Sequence, residues 1–245
     1  MTHSNTRTIH EGLAREVAAA TRILVAEKIL DYSGHVSTRL PGGGFLIQTG
    51  LDSRADLRPE RLLVVDRDGK VLEGEGNPPA ELALHVEMFR ARPDIQSILH
   101  CHMDLAIAFT MMKGVQLKPM RARAVRWESG IPSHPDPSHI KHTEQAASLA
   151  RTLGPHNAVL MRAHGLTLVA ESVPALLVDA IHFQENALAL MQVLQAGAEP
   201  LPLTQDEIDQ VNRHEMREFH IGKLWSYYLG RAVNAGIVPA AWAAS

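Results

Sequence analysis

Apolar and polar positions alternate along the chain with two different periods, and each period predicts its own kind of element. Apolar residues recur at three- and four-residue intervals from position 10 to position 30, which is typical of an amphipathic helix. The same period predicts further helices over residues 77–92, 103–113, 138–153 and 173–196, and one or two more within 204–229. Helices are therefore expected along the whole length of the chain.

Short apolar or alternating runs between these helices predict strands over residues 35–40, 45–48, 62–66, 71–72, 97–100, 158–162 and 166–170. Gly42-Gly43-Gly44 and Asp68-Gly69 supply the positive φ angles that tight turns need, so the strands they join should be antiparallel. The prediction is an α/β fold, a three-layer sandwich whose central and mainly antiparallel sheet is flanked by helices. Without a repeat or linker, one domain is expected over residues 1–245, with its core at about 8–230 and a loose tail after Val238.

Composition narrows the classes of function. The chain has 245 residues, 45% of them hydrophobic, and 24 basic against 27 acidic residues give a net charge of −3. No run of like charge suggests a nucleic-acid or membrane-surface partner, and no apolar run is long enough to span a membrane. Cys101 is the one cysteine, and residues 1–8 lack the apolar stretch of a signal peptide. These features favour a cytoplasmic protein that acts on a small molecule.

The candidate chemistry lies between Asn77 and His102. Glu81 falls in the first turn of the helix predicted there, with Asn77 as its cap, and the next strand leads into His100-Cys101-His102. Residues two apart in a strand share a face, so the two imidazoles should project the same way. Ala163-His164-Gly165 offers a third imidazole, and three such ligands around a divalent ion leave a coordination position open for substrate.

A competing interpretation treats the two histidines as packed core residues and Glu81 as a helix-start carboxylate without chemistry. The conjunction of the carboxylate, the histidine pair and the later His-Gly favours the metal site. The remaining spaced histidines are expected at structural or surface positions: His134, His139, His142 and His182.

This conjunction resembles the class II aldolase/adducin family, whose members include fuculose-phosphate and ribulose-phosphate aldolases or epimerases. The resemblance runs from about residue 8 to residue 195 and rests on segments 33–39, 49–51, 80–85, 91–94, 100–102 and 163–166. By that likeness His100, His102 and His164 match the metal histidines, and Glu81 matches the catalytic acid/base carboxylate. The likeness implies a class II aldolase-like fold and a homotetramer with active sites between subunits. It implies one divalent metal ion per subunit, Zn²⁺ or Mn²⁺, with Fe²⁺ also compatible with such ligands.

Two phosphate-binding motifs of the sugar-phosphate aldolases are altered in this chain. Their Gly-Asn-X-Ser turn reads Gly34-His35-Val36-Ser37, and the serine pair that precedes their glutamate is replaced by Pro79-Ala80. His35, with Arg39 nearby, suits a planar carboxylate better than a phosphate. One branch of the family decarboxylates ortho-hydroxy aromatic acids, among them hydroxy-methylpyridine-dicarboxylate and dihydroxyphthalate, and the chain looks closer to that branch.

The expected function is therefore a metal-dependent decarboxylase of a hydroxylated aromatic (di)carboxylate. A retro-aldolase acting on a hydroxy-keto acid or small sugar derivative is the alternative, since both reactions need a sink for charge on a substrate oxygen. A silent scaffold similar to the adducin head should lack the metal histidines, so it is less favoured. Glu81 is expected to transfer the proton, with His35 as the rival donor or carboxylate anchor. Substrate binding is expected from His35, Ser37, Arg39, Thr49 and Gly50.

Overall fold

The computed structural model describes residues 3–243, and within that range eight strands form one sheet. The strands are β1 His35–Arg39, β2 Phe45–Ile47, β3 Leu63–Val65, β4 Val71–Glu73, β5 Ser97–Cys101, β6 Ser133–His134, β7 Ala158–Met161 and β8 Gly165–Ala170. Their order is β4-β3-β2-β1-β5-β8-β7-β6, and only β6 and β7 pair in parallel. The predicted, mainly antiparallel sheet is confirmed.

Helices cover both faces of this sheet. They are α1 His3–Ala26, α2 Leu82–Ala91, α3 Asp104–Thr110, α4 Thr143–Leu153, α5 Val173–Gln195, α6 Gln205–His214 and α7 Arg217–Asn234. Helices α1, α3, α5 and α7 pack into one hydrophobic cluster, and α2 and α4 pack into a second cluster. Along β5, Leu99 and Cys101 belong to the first cluster and Ile98 to the second, as strand alternation requires. The expected three layers are therefore present.

The helix that precedes the histidine pair is shorter than predicted. It was expected over residues 77–92 with Asn77 as its cap, but α2 begins at Leu82 and Glu81 occupies the N-cap position. Pro78 and Pro79 account for the difference, because a residue that precedes proline is pushed out of the helical region. The Asn77 carbonyl instead accepts a hydrogen bond from the Gly50 amide at 2.9 Å.

Helix α4 also starts later than predicted, at Thr143 rather than at residue 138. The side chains of His142 and Gln145 form a capping box that begins the helix there. Helix α1 ends at Ala26 rather than at residue 30, and Lys28 then adopts a φ of 59°. Both changes leave short irregular segments that reach the site described below.

The segment after Val238 is described as far as residue 243, and residues 239–241 and 243 are exposed, so the loose tail stays a prediction. Ala240–Trp242 form a 3-10 turn, and the Arg22 guanidinium lies 4.9 Å from the centre of the Trp242 ring. The same guanidinium donates to the Ile237 carbonyl at 3.0 Å. Residues 244 and 245 lie outside the described range. Across residues 3–243, no helix combines the length and hydropathy of a membrane span.

Candidate metal and catalytic site

Three imidazoles and one carboxylate converge where the central strands end. One ligand atom from each of Glu81, His100, His102 and His164 lies within 4.8 Å of the other three. His100 is on β5, His164 is in the turn before β8, and Glu81 directly precedes α2. His102 follows the last residue of β5, and its ring lies with its centre 5.0 Å from that of His100, at an angle of 87°. Both rings point into one space.

Strand register explains why these side chains meet. His35 on β1 stands directly opposite His100, and His100 stands directly opposite Thr167 on β8. Residues opposite one another across antiparallel strands lie on the same face with their Cβ atoms close together. Strand alternation places this row on the face that α2 and α4 cover, which brings Glu81 above it.

Glu81 lies at the centre of the cluster and is almost fully buried, with 5% of its surface exposed. Its Oε2 is 3.2 Å from His100 Nε2, its Oε1 is 3.5 Å from His164 Nε2, and Oε1 accepts the backbone N–H of Ile140 at 2.9 Å. Burial raises the pKa of Glu81, but the neighbouring imidazoles of His100 and His35 outweigh it and hold the pKa well below its ordinary value. Glu81 is therefore ionised.

Each of the three histidines is anchored through its Nδ1 atom. His102 Nδ1 lies 3.0 Å from Asp31 Oδ2, His100 Nδ1 lies 3.3 Å from Thr167 Oγ1, and His164 Nδ1 lies 3.1 Å from the Ser138 carbonyl. A carboxylate or a carbonyl can only accept, so Nδ1 of His102 and of His164 carries the hydrogen and Nε2 presents its lone pair. Such outer partners orient metal-bound imidazoles and set their tautomers.

A divalent cation fits this donor set. Nε2 of His100 and Nε2 of His164 are buried and have no hydrogen-bond partner among the described residues. Unpaired buried polar atoms cost free energy, and a metal ion between them would remove that cost. Burial, together with nearby His100, lowers the pKa of His164 to about 4, so this ring is neutral at neutral pH, as a metal ligand must be.

Two glycines allow the backbone to close around His100. A Cβ atom on Gly34 would lie 2.7 Å from the His100 carbonyl oxygen, and one on Gly165 would lie 2.7 Å from the Cys101 carbonyl oxygen. A side chain at either position would force the strand ends apart. The Gly34 N–H also donates to Asp31 at 2.8 Å, which orients the carboxylate that holds His102.

Behind Glu81, a second cluster of polar side chains, formed by His35, His85 and Ser37, extends into the core. His35 Nε2 is 3.7 Å from Glu81 Oε2, and His35 Nδ1 is 2.7 Å from Nε2 of His85. His85 Nδ1 lies 2.6 Å from Ser37 Oγ. Ser37 is fully buried beneath the two histidines and is not open to substrate, which corrects its expected binding role.

Sequence reasoning missed three residues that contribute here, His85, Asp31 and Thr167. His85 follows Glu81 by four positions, the spacing of neighbours on one helix face, so that signal was available. Asp31 and Thr167 gave no such signal, because their contacts depend on how distant segments pack. His139, expected at a structural or surface position, is exposed but lies at the mouth of the cluster, 3.8 Å from Glu81 Oε1.

Arg39 does not join the site, although the sequence suggested that it binds substrate. Its guanidinium donates to three backbone carbonyls near the end of α2, those of Ile95, Phe89 and Arg92, and it stacks 4.5 Å from the Phe89 ring centre. Arg39 and His35 lie at opposite ends of β1, so they cannot bind one small ligand together. Arg39 is therefore removed from the candidate substrate-binding residues.

Thr49 and Gly50 lie against the segment that leads to Glu81. Thr49 is 2% exposed and its Oγ1 accepts the Asp52 N–H at 3.2 Å. A Cβ atom on Gly50 would come within 3.2 Å of the Pro78 carbonyl oxygen, so glycine permits this close approach. Their role in binding substrate stays a prediction.

Comparison with known proteins agrees with this geometry. The model of the Class II Aldolase and Adducin N-terminal domain family matches residues 15–191. The chain belongs to this family. Proteins of this class use a divalent metal ion, and the cluster of Glu81 with the three histidines is the group of side chains that could hold one.

Two relatives are lyases that remove a carboxyl group. The 3,4-dihydroxyphthalate decarboxylase of Arthrobacter keyseri is 31% identical over 202 residues, which cover 77% of this chain and 81% of that protein. The enzyme of the same name from Rhodococcus jostii (strain RHA1) is 28% identical over 245 residues, which cover 91% and 97% of the two chains. Both relatives support an enzyme of the lyase class.

The fold is shared with the L-fuculose 1-phosphate aldolase of Glaciozyma antarctica PI12. The two structures superimpose with a TM-score of 0.79 at 20% sequence identity, over 96% of this chain and 94% of that one. Together with the eight-stranded sheet, this similarity establishes the class II aldolase-like fold.

Proposed function

We propose that this protein is a metal-dependent decarboxylase of an ortho-hydroxy aromatic dicarboxylate, with 3,4-dihydroxyphthalate as the first substrate to test. The observation that carries the proposal is the convergence of three imidazoles on a buried glutamate, with Nε2 of His100 and Nε2 of His164 left without a hydrogen-bond partner among the described residues. The two decarboxylases with that substrate in their name, each aligned over more than three quarters of this chain, supply the substrate class.

The residues around Glu81 support a carboxylate substrate over a phosphosugar. Where the sugar-phosphate aldolases place a serine pair, this chain has Pro79 and Ala80, which offer neither a hydroxyl nor, at Pro79, an N–H group. His35 replaces the asparagine of their glycine turn and faces Glu81 from 3.7 Å. One imidazole donor suits a carboxylate, whereas a phosphate dianion calls for several donors.

The divalent ion, held by His100, His102 and His164, would supply electrophilic stabilisation of negative charge on the substrate hydroxyl oxygen. Glu81, which is ionised, takes the proton of that hydroxyl group at one carboxylate oxygen. Glu81 then gives the proton to the ring carbon that bears the departing carboxylate, the carbon–carbon bond breaks, and its electron pair restores the aromatic ring as CO₂ leaves. The product oxygen takes one proton from solvent, which balances the reaction.

The metal is proposed to be Zn²⁺ or Mn²⁺, with Fe²⁺ as a further candidate, one ion per subunit.

We also propose a homotetramer with active sites between subunits. Exposed apolar side chains on α7 and at its N-cap offer a surface for such contacts: Met216, Phe219 and Tyr227 are 67%, 66% and 59% exposed. Light scattering of the purified protein measures the assembly, and a monomeric mass would contradict it. The single domain and the cytoplasmic location stay predictions.

The activity test offers the metal-loaded protein two substrates in parallel, 3,4-dihydroxyphthalate and L-fuculose 1-phosphate. Release of CO₂ from the first supports the proposal. Release of an aldehyde from the second, without CO₂ from the first, would instead establish the retro-aldolase alternative. The absence of both products from protein with a full complement of metal contradicts the proposed function.

Two variants separate metal binding from proton transfer. His102→Ala should lose both metal and turnover, whereas Glu81→Gln should keep the metal and lose turnover. Matched controls are His156→Ala, at a half-buried histidine that contacts Ser129, and Glu87→Gln, at a buried helix carboxylate paired with Arg90. Full activity of Glu81→Gln would show that another group transfers the proton.

A further inference from the structure

A buried hydrogen-bonded chain runs from the site into the core through Ser37, His85 and His35. Ser37 Oγ lies 2.6 Å from His85 Nδ1, and His85 Nε2 lies 2.7 Å from His35 Nδ1. At the outer end, His35 Nε2 faces Glu81 Oε2 at 3.7 Å. None of the three is more than 1% exposed, so water does not compete for these contacts.

When both rings are neutral, one arrangement of hydrogens gives each of the two hydrogen bonds a donor and an acceptor and also turns an N–H group toward Glu81. A neutral imidazole has one donor and one acceptor nitrogen, and a carboxylate only accepts. His35 must therefore present Nε2–H to Glu81 and a bare Nδ1 to His85. His85 then donates through Nε2–H and accepts at Nδ1 from the Ser37 hydroxyl. The reverse arrangement would set the His35 lone pair against the Glu81 carboxylate and leave the Ser37 hydrogen without an acceptor among the described contacts.

We propose that His85 is a positioning residue that holds His35 as the Nε2–H tautomer, so that His35 offers a fixed hydrogen-bond donor to the substrate carboxylate beside Glu81. Only the substrate part of this inference rests on the proposed function. The tautomer itself follows from the contacts of Ser37, His85 and His35.

The chain does not transport protons. It ends at a serine hydroxyl in the core, where no titratable group can resupply a hydrogen, so moving the hydrogens one step outward would leave a buried alkoxide on Ser37. Burial also lowers the pKa of His35 to about 4 and that of His85 well below its ordinary value, so both rings are neutral at neutral pH. His35 therefore acts as a hydrogen-bond donor, and Glu81 alone exchanges the reacting proton.

The direct test is the ¹⁵N spectrum of the full-length protein labelled at its imidazole nitrogens. Bare and protonated ring nitrogens have well-separated shifts, and comparison with His35→Asn and His85→Gln assigns the two residues. We expect bare Nδ1 and protonated Nε2 on both rings, with or without bound metal. A protonated Nδ1 on His35 in the unchanged protein would overturn the proposal, and this result does not depend on turnover.

Two substitutions at His85 test its effect on the reaction. Glutamine carries both an amide donor and a carbonyl acceptor, so His85→Gln should retain most of the kcat, whereas His85→Phe should lower kcat by about 10- to 100-fold with unchanged metal content. An equal loss in both variants, or none in His85→Phe, would overturn the assignment. If His85→Phe does not fold, Ser37→Ala removes the last donor, and mixed His85 tautomers are then expected in the spectrum. Absence of turnover in the unchanged protein would count against the proposed function alone.

Discussion

Replacing Asp31 by asparagine should weaken metal binding although residue 31 touches no metal. Asp31 Oδ2 accepts the Nδ1–H of His102 at 3.0 Å, and its Oδ1 accepts the N–H groups of Ser33 and Gly34. Burial raises the pKa of Asp31, but the hydrogen bonds from Gly34 and His102 more than offset it, so the carboxylate is ionised at neutral pH. The amide keeps one acceptor oxygen for the turn but cannot accept at the second position.

The size of the effect follows from the tautomer of His102. The asparagine NH₂ group would donate to His102 Nδ1, which favours a hydrogen on Nε2, the atom that the metal needs bare. Loss of an outer partner of this kind costs about 10- to 100-fold in metal affinity. The side chains of His102 and Asp31 are 18% and 33% exposed, so water can replace part of the contact. We therefore expect the lower end, about 10-fold or about 1.4 kcal/mol.

The assay is a competition between metal-free protein and a chromophoric chelator for Zn²⁺ at fixed pH. Asp66→Asn is the matched control, because Asp66 Oδ1 also accepts two backbone N–H groups, from Asp68 and Lys70 at 2.9 Å each, but contacts no imidazole. The control should bind Zn²⁺ as the unchanged protein does. Equal affinity for Asp31→Asn and the unchanged protein, or equal losses in both variants, would refute the reasoning about His102.

Three further outcomes are expected. Arg39→Ala should lower the free energy of unfolding in urea by about 2 kcal/mol with turnover retained, because it removes charged hydrogen bonds to helix-end carbonyls. Burial, reinforced by His220 and Arg123, lowers the pKa of His182 to about 4, so its stabilising contribution is present above pH 6.5 and lost as the pH falls toward 4. In urea unfolding, His182→Gln should therefore reduce the stability difference between about pH 7 and about pH 4.5, by at most about 3 kcal/mol. Thr167→Val should weaken Zn²⁺ binding in the chelator assay less than Asp31→Asn, because it removes only a neutral acceptor of His100.

Periodicity was enough to predict the layers of this fold, because burial on two faces imposes a period on every strand and helix. The prediction of element boundaries failed at the start of α2. Asn77 was expected to cap the helix, with proline tolerated in its first turn, but the two consecutive prolines lie with Asn77 outside α2. The order of the strands in the sheet, by contrast, is a property of packing that no single segment encodes.

The residues of the site also divide into those that the sequence predicted and those that it could not predict. His100, His102 and His164 stood out because their residue type and neighbours suggested metal binding, and the structure brings them together. Asp31 and Thr167 could not be found, because each meets its histidine across more than 60 positions of sequence. The misplacement of Arg39 was avoidable: four strand residues at about 3.3 Å each put it about 13 Å from His35, too far for one carboxylate.

In the proposed reaction, the carboxylate of Glu81 serves both the metal and the proton, and its place in the fold is consistent with this double role. His100 is held on both sides by paired strands, so its ring has little freedom. Glu81 sits one residue before α2, where the backbone is not helical, with φ −100° and ψ 28°, and its carboxylate is held by one backbone donor, the N–H of Ile140. A carboxylate held in this way can turn between the cation and the substrate while the imidazoles stay fixed. Pro78 and Pro79, which precede α2, therefore leave the proposed proton carrier on non-helical backbone directly before the helix.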